Sequence, residues 1–324
     1  MIIRLYRTNQ SIIQLGLPLI AVVFWSLHFF FPIAPAPSAI PQWFTFQPEW
    51  PMWVWQVLQM ALVLLEAIVF NRIINDLELF DRISYVPSLI YVLVAFMLIP
   101  NGLFQWSSLS NYFILQTIHT LLQVYRQNSA KEEAFISGFL LGIAFLFSWY
   151  VVPLVAWALL AMNTLKTFYW REWLLFIIAF LFPWWTFEAI YFAVYGQWSI
   201  VVPQFEMEHW TTNPLGADRS TMMFSIFLLV MVVLGLFSLL GRFSGSIIRV
   251  RRQRQVLLYF FIIMILISIT VNAMYVGNGM QLLVIPFALS ISFLLVHSAF
   301  QWLTDLLFYA AIGLFLLSRI APLG

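Results

Sequence analysis

Two acids stand inside long apolar runs of this 324-residue chain, Glu66 and Glu188. A charged group at mid-bilayer costs at least about 2.5–3.5 kcal/mol, so each is a candidate site. Gln56, Gln59 and Glu66 fall at i, i+3 and i+10 and share one helical face. Tyr112, Gln116, His119 and Gln123 make a second polar stripe at helical spacing, and Trp184, Glu188, Tyr191 and Tyr195 a third. Stripes of this kind face the interior of a helix bundle, where they line a cavity or hydrogen-bond across helices. A proton-coupled carrier would use Glu66 and His119, with Gln59 and Gln116 as neighbouring intramembrane polar groups. Glu66 also stands close enough to the expected cytoplasmic edge to be hydrated there. The two acids are expected at different depths, not as a carboxylate pair.

A second concentration, Glu206, Glu208, His209, Asp218 and Arg219, lies between two apolar runs. Glu206-x-x-His209 has the spacing of half a carboxylate metal site. Such sites draw ligands from several helices, and no second copy occurs, so no metal is expected. The better reading is the polar mouth of a substrate pocket, formed by Glu188, Glu206, Glu208, His209 and Arg219. Asn75, Asp76, Glu78, Asp81 and Arg82 could hold Mg²⁺ against a diphosphate, but position 79 is leucine and no matching acidic motif follows. Interleaved Ile73, Ile74, Leu77, Leu79 and Phe80 are expected to form an amphipathic segment in the membrane interface. The chain has no P-loop, no HExxH and no nucleophile elbow, and no cofactor is expected.

The elements that position these groups follow from composition. Hydrophobic residues make up 63% of the chain and charged residues 9%, against about 45–50% and about 25% in a soluble domain. So little charge cannot solvate a globule of this size, which excludes a water-soluble enzyme. The net charge of +2 offers no surface for nucleic acid. The absence of cysteine removes disulfides, thiolate chemistry, Cys-bound zinc and iron–sulfur clusters.

A bilayer core takes about 17–25 apolar residues per helix. Candidate spans are 11–31, 52–70, 83–99, 111–125, 135–152, 153–165, 173–195, 221–240, 256–275, 280–296 and 300–317. That predicts an all-α polytopic transmembrane bundle of eleven spans, a single membrane domain over 1–324. As one helix, residues 135–165 would reach about 46 Å, beyond a core of about 30 Å. As a hairpin turning at Pro153 they make two short spans.

Charge decides. With the hairpin and a cytoplasmic N-terminus, 13 cations lie inside and only Arg219 and Arg319 outside; a single span gives 8 against 7. The positive-inside rule prefers the hairpin, with the C-terminus outside. The first span is too long for the apolar region of a secretory signal. Outer loops are expected at 32–51 and 196–220, and a basic inner loop at 241–255 that fixes topology. His28 and His297 read as interfacial residues. Ala134, Gly138 and Gly142 recur every four residues, an edge along which another helix can approach closely. No internal repeat of the transporter kind appears.

From Arg82 to Tyr91 (RISYVPSLIY), through residues 131–142 (KEEAFISGFLLG) and Trp170-Arg-Glu-Trp173 to Leu283-Val-Ile-Pro286, the chain resembles a bacterial family of multi-pass inner-membrane proteins without an assigned function. More distantly it is similar to integral-membrane glycosyltransferases that use polyprenyl-phosphate sugars. That second likeness implies about eleven spans, an inner N-terminus, a hairpin like residues 137–165 and a catalytic acid in the first outer loop. Glu49, beside Trp50, is what this chain offers there, as the base that deprotonates an acceptor hydroxyl.

The expectation is thus a bacterial inner-membrane protein of cell-envelope biogenesis, with an outward-facing cavity for a lipid-linked substrate between the third and seventh spans. The alternatives are that glycosyltransferase, the proton-coupled transporter, and a scaffold subunit packed on another envelope membrane protein through the Gly138/Gly142 edge. Membrane lipids are the expected surroundings, and no nucleic acid partner is expected.

Overall fold

The computed structural model describes residues 6, 15–30, 50–80, 83–99, 104–125, 127, 129–196, 198, 219–241, 247–274, 278–298 and 301–320. Among these, eleven α-helices and no strand occur. They are α1 (Leu17–Phe30), α2 (Met52–Asp76), α3 (Val86–Leu98), α4 (Trp106–Gln123), α5 (Lys131–Phe147), α6 (Val152–Leu165), α7 (Trp170–Tyr195), α8 (Arg219–Gly241), α9 (Ile248–Met274), α10 (Val284–His297) and α11 (Gln301–Ile320). Short 3₁₀ turns at Trp149–Val151 and Asn278–Leu283 lead into α6 and α10. Four helices, α2, α7, α8 and α9, are long and apolar enough to cross a membrane. The chain is a helical membrane protein.

A helix that is apolar on every side belongs in a core. All 13 residues of α3 are buried, and all of α10 except Leu294, Val296 and His297. These two helices pack on each other at the centre. Around them α2 and α1 cover α3, α8 covers α10, and α11 backs α8. α4 joins α2 to α5, and α7 lies outermost on α5. Phe96 binds the centre to its surround, with rings of Phe24, Trp25 and Phe315 between 4.8 and 6.1 Å away.

Several boundaries differ from expectation. α2 runs through Asp76 and closes in a Schellman motif: Glu78 N–H donates to Asn75 O and Leu79 N–H to Ile74 O. Glu78 holds the left-handed position (φ 52°) that glycine usually takes. Ile74 and Leu79, the apolar pair of that motif, are both 1% exposed, and Ile73, Leu77 and Phe80 are buried with them. The expected interfacial segment is therefore core, because the cap folds its apolar side chains back under the bundle. The basic segment 241–255 is helical from Ile248 onward. Arginine is a good helix former, and nothing after Gly245 breaks the run.

The chain reverses between α5 and α6. Lys166 Nζ lies 2.6 Å from Glu172 Oε1, and the same oxygen accepts the Ala130 N–H at 3.0 Å. Ala130 precedes α5 and Lys166 follows α6; along one continuous helix they would stand about 54 Å apart. Glu172 so takes the capping role that the alanine side chain cannot. The Gly138/Gly142 edge is filled from within the chain. A Cβ on Gly138 would strike the Phe176 carbonyl oxygen, and one on Gly142 the Phe180 carbonyl, with the Pro183 ring 3.0 Å away. The edge proposed for a scaffold partner is thus occupied by α7.

Gly138→Leu or Gly142→Leu should force α7 off α5 and cost about 1–3 kcal/mol or more. Thermal unfolding in detergent should show a lowered midpoint for both, while Gly241→Ala, whose Cβ meets nothing within 4 Å, leaves it unchanged.

Candidate functional site

Polar side chains inside the bundle gather in two layers at opposite ends of the helices. In the first, the Gln59 amide donates to Ser108 Oγ (3.1 Å), and Ser108 Oγ donates to Gln281 Oε1 (3.2 Å). Gln105 N–H donates to Gln59 Oε1, and the Asn111 amide to Gln281 O. Gln56, Gln59, Ser108, Asn111 and Gln281 are each at most 3% exposed. This layer joins the start of α2, the start of α4 and the 3₁₀ turn before α10. Under the threading expected from the cations it would be the outer end, and the layer at the opposite end the inner one.

The second layer lies at the other end of the same helices. Asn75 and Ser84 exchange two hydrogen bonds, closing the connection from α2 to α3. Tyr6 O accepts from Tyr85 N–H (2.9 Å) and Ser84 Oγ (3.3 Å), which docks Tyr6 onto that connection. Arg254, 1% exposed, donates to Leu79 O at 2.8 Å and lies over the Phe293 ring. Gln253 donates to Leu122 O at the end of α4. His297 stacks on Phe293 and meets the edge of Phe80, so it is packed into this layer instead of lying free in the interface.

Between the layers sits Glu66, 1% exposed, with Tyr91 OH donating to its Oε2 at 3.0 Å. The bundle encloses its side chain. His119 does not share its site. The imidazole contacts Gln123 at 3.1 Å and lies 3.9 Å from the Asp76 carboxylate. Asp76 is ten residues, about 15 Å, further along α2. Gln116 donates to Tyr112 OH, so the α4 stripe bonds along its own helix. Gln59 is likewise taken up by the outer amide layer.

Glu188 is 4% exposed on the outer half of α7. Tyr191 stacks towards Tyr195 beside it, their rings 4.6 Å apart. Glu49, Glu206, Glu208 and His209 lie outside the described residues, and of Arg219 only the backbone is described. Among the described residues no cluster of three metal-ligating side chains occurs. No family model, curated protein or solved structure matches the chain.

Spacing identified Gln56, Gln59 and Glu66 as one face, and all three are buried together. Sequence reasoning missed Tyr91, Ser108, Asn111 and Gln281, because their partners are 25 to 173 residues away. It also missed the Lys166–Glu172 pair; the only signal was two opposite charges six positions apart where one apolar run ends and the next begins. A groove of about 400 Å³ on the inner third of α7 is wholly apolar, lined by Phe168, Trp170, Trp173, Leu174, Ile177 and Ile178.

Glu172→Gln should leave Lys166 charged and buried, at a cost of about 3–5 kcal/mol. Replacing both residues by methionine should recover part of it, as measured by unfolding midpoints. A second expectation concerns pH. Burial pushes the Tyr6 phenol from 10.0 up to about 12. The folded state therefore holds that proton more tightly, so the phenol's contribution to stability is full below pH 10 and fades as pH rises through 12. Tyr6→Phe should flatten the alkaline limb of the stability profile.

Proposed function

We propose that this is an eleven-span protein of the bacterial inner membrane, N-terminus inside and C-terminus outside, that handles a lipid-linked substrate of the cell envelope at its outer face. The eleven helices correspond one for one to the eleven apolar runs. The two polar layers support alternating threading: α2 runs from the outer to the inner layer, α4 does the same, α9 starts at the inner one and α10 returns to it. With the inner layer facing the cytoplasm, Arg249, Arg251, Arg252 and Arg254 fall on the side the positive-inside rule requires.

The observation that carries the substrate reading is the build of α7. It packs chiefly on α5 and leaves a broad apolar flank, Leu174, Ile178, Phe182, Trp185 and Ile190 among it, open to the bilayer. The same helix buries Glu188 about 10 Å short of its C-terminal end, and the sequence that follows carries Glu206, Glu208, His209 and Arg219. An apolar flank for a tail beside a polar mouth for a headgroup is what an amphiphilic substrate demands.

The native chain has no cysteine, so single-cysteine variants report topology directly. In intact cells, Ser38→Cys and Thr211→Cys should react with a membrane-impermeant maleimide, and Arg251→Cys should react only after lysis. Lipids co-purifying with the protein, read by mass spectrometry, should include an anionic lipid-linked species. Its occupancy should fall about tenfold in Arg219→Ala, the loss of roughly 1.4 kcal/mol expected for one charge-assisted contact. Unaltered lipid content in Arg219→Ala and Glu188→Gln alike would remove the substrate reading.

A further inference from the structure

Glu66 has a chemistry that the outer mouth does not explain. It lies 14 residues from the start of α2 and ten from its end, near the middle of the span. The carboxyl accepts one hydrogen bond, from Tyr91 OH to Oε2. Its other oxygen, Oε1, is buried and has no hydrogen-bond partner among the described residues. No lysine, arginine or histidine comes within ion-pair distance of it among those residues, whereas Glu172, another buried acid, has Lys166 at 2.6 Å.

Among the described residues, the elements packed on α2 bring nothing else that could balance a charge. α3 contributes Tyr91 itself, whose ring lies against Phe70 at 5.2 Å. α1 has no ionisable residue from Leu17 to Leu27. α4 carries Tyr112 and His119, bonded to Gln116 and Gln123. A carboxylate taken out of water needs a cation or several donors, and this one has a single phenol.

We propose that the Glu66–Tyr91 pair is a proton-binding site at mid-membrane, with the proton carried on Oε1. The inference stands apart from the lipid-linked substrate at the outer face. It also differs from a Glu66–His119 relay, since the histidine belongs to the inner layer. Release of the proton would leave a negative charge between α2 and α3 with one donor to hold it, so proton exchange requires those two helices to part.

An un-ionised carboxyl in an apolar site reacts with the lipid-soluble dicyclohexylcarbodiimide. The carboxyl proton moves to a carbodiimide nitrogen while the oxygen adds to the central carbon. The O-acylisourea so formed rearranges to a stable N-acylurea, and nothing leaves. The experiment treats the full-length protein, in vesicles of phosphatidylcholine and phosphatidylglycerol at neutral pH, with this reagent. Peptide mass spectrometry then locates the adduct. The expected result is one added carbodiimide on the peptide containing Glu66, lost in Glu66→Gln and retained in Tyr91→Phe. A water-soluble carbodiimide should instead mark exposed acids such as Glu132 and leave Glu66 untouched. Infrared spectra give a second reading: the carbonyl band of an un-ionised carboxyl should be present and should vanish in Glu66→Gln. Absence of that band in the native protein, or carbodiimide modification of exposed acids with none at Glu66, overturns the proposal.

Discussion

A helix surrounded by hydrocarbon has water only at its ends, so each polar side chain along it must find a partner inside the bundle or lie at an end. The whole arrangement follows from that restriction. The outer amides close among themselves, with Ser108 donating to one glutamine and accepting from another. The inner layer satisfies its groups largely with backbone carbonyls: Arg254 on Leu79, Gln253 on Leu122, Ser84 on Tyr6. Backbone acceptors suit that end because the α2–α3 connection and the helix termini leave carbonyls without helical partners. Side chains thus do there what a helix would have done for itself.

Close packing follows from the same restriction. Hydrocarbon tails are as apolar as leucine, so helices associate through contact and hydrogen bonding instead of escape from water. Small residues mark where contact is closest. Gly138 and Gly142 let α5 lie against the carbonyls of α7, and Gly235 does the same for α8 beside Ser290, which also donates to Val232 O at 2.6 Å. Pro183 belongs to this logic. Its ring removes one backbone donor from α7, and Gly142 leaves the space the ring fills.

Legibility in the sequence divides along the same line. Apolar runs and a reversal within 135–165 could be read because hydrophobicity is local and because cation placement weighs one threading against another. The turn itself lies at Ser148–Val151 and not at Pro153, which stands in the first turn of α6. The short α5 and α6 were the hardest case, and the reversal was recoverable from charges far from it. Hydrogen-bond partners were not recoverable: Ser108 and Gln281 are 173 positions apart, and it is the packing of α4 on the 3₁₀ turn before α10 that brings them together. Boundaries failed for a further reason. A run such as 248–255 is polar enough to resemble a loop, yet arginine and glutamine favour helix, so α9 extends two turns past its apolar part.

Three buried acids show how surroundings set the role of one chemical group. Glu172, 6% exposed, meets a lysine and a backbone N–H at a connection, and the result is a clasp that fixes where the chain turns. Glu188, 4% exposed, is buried on α7, a helix whose other flank, with Phe182, Trp185 and Ile190, is exposed. Glu66 has apolar neighbours and one phenol, with no cation to match it. The same side chain is thus held in three different surroundings according to how many donors the fold brings within reach. Depth along the helix decides that number, because donors are plentiful at the two layers and scarce between them.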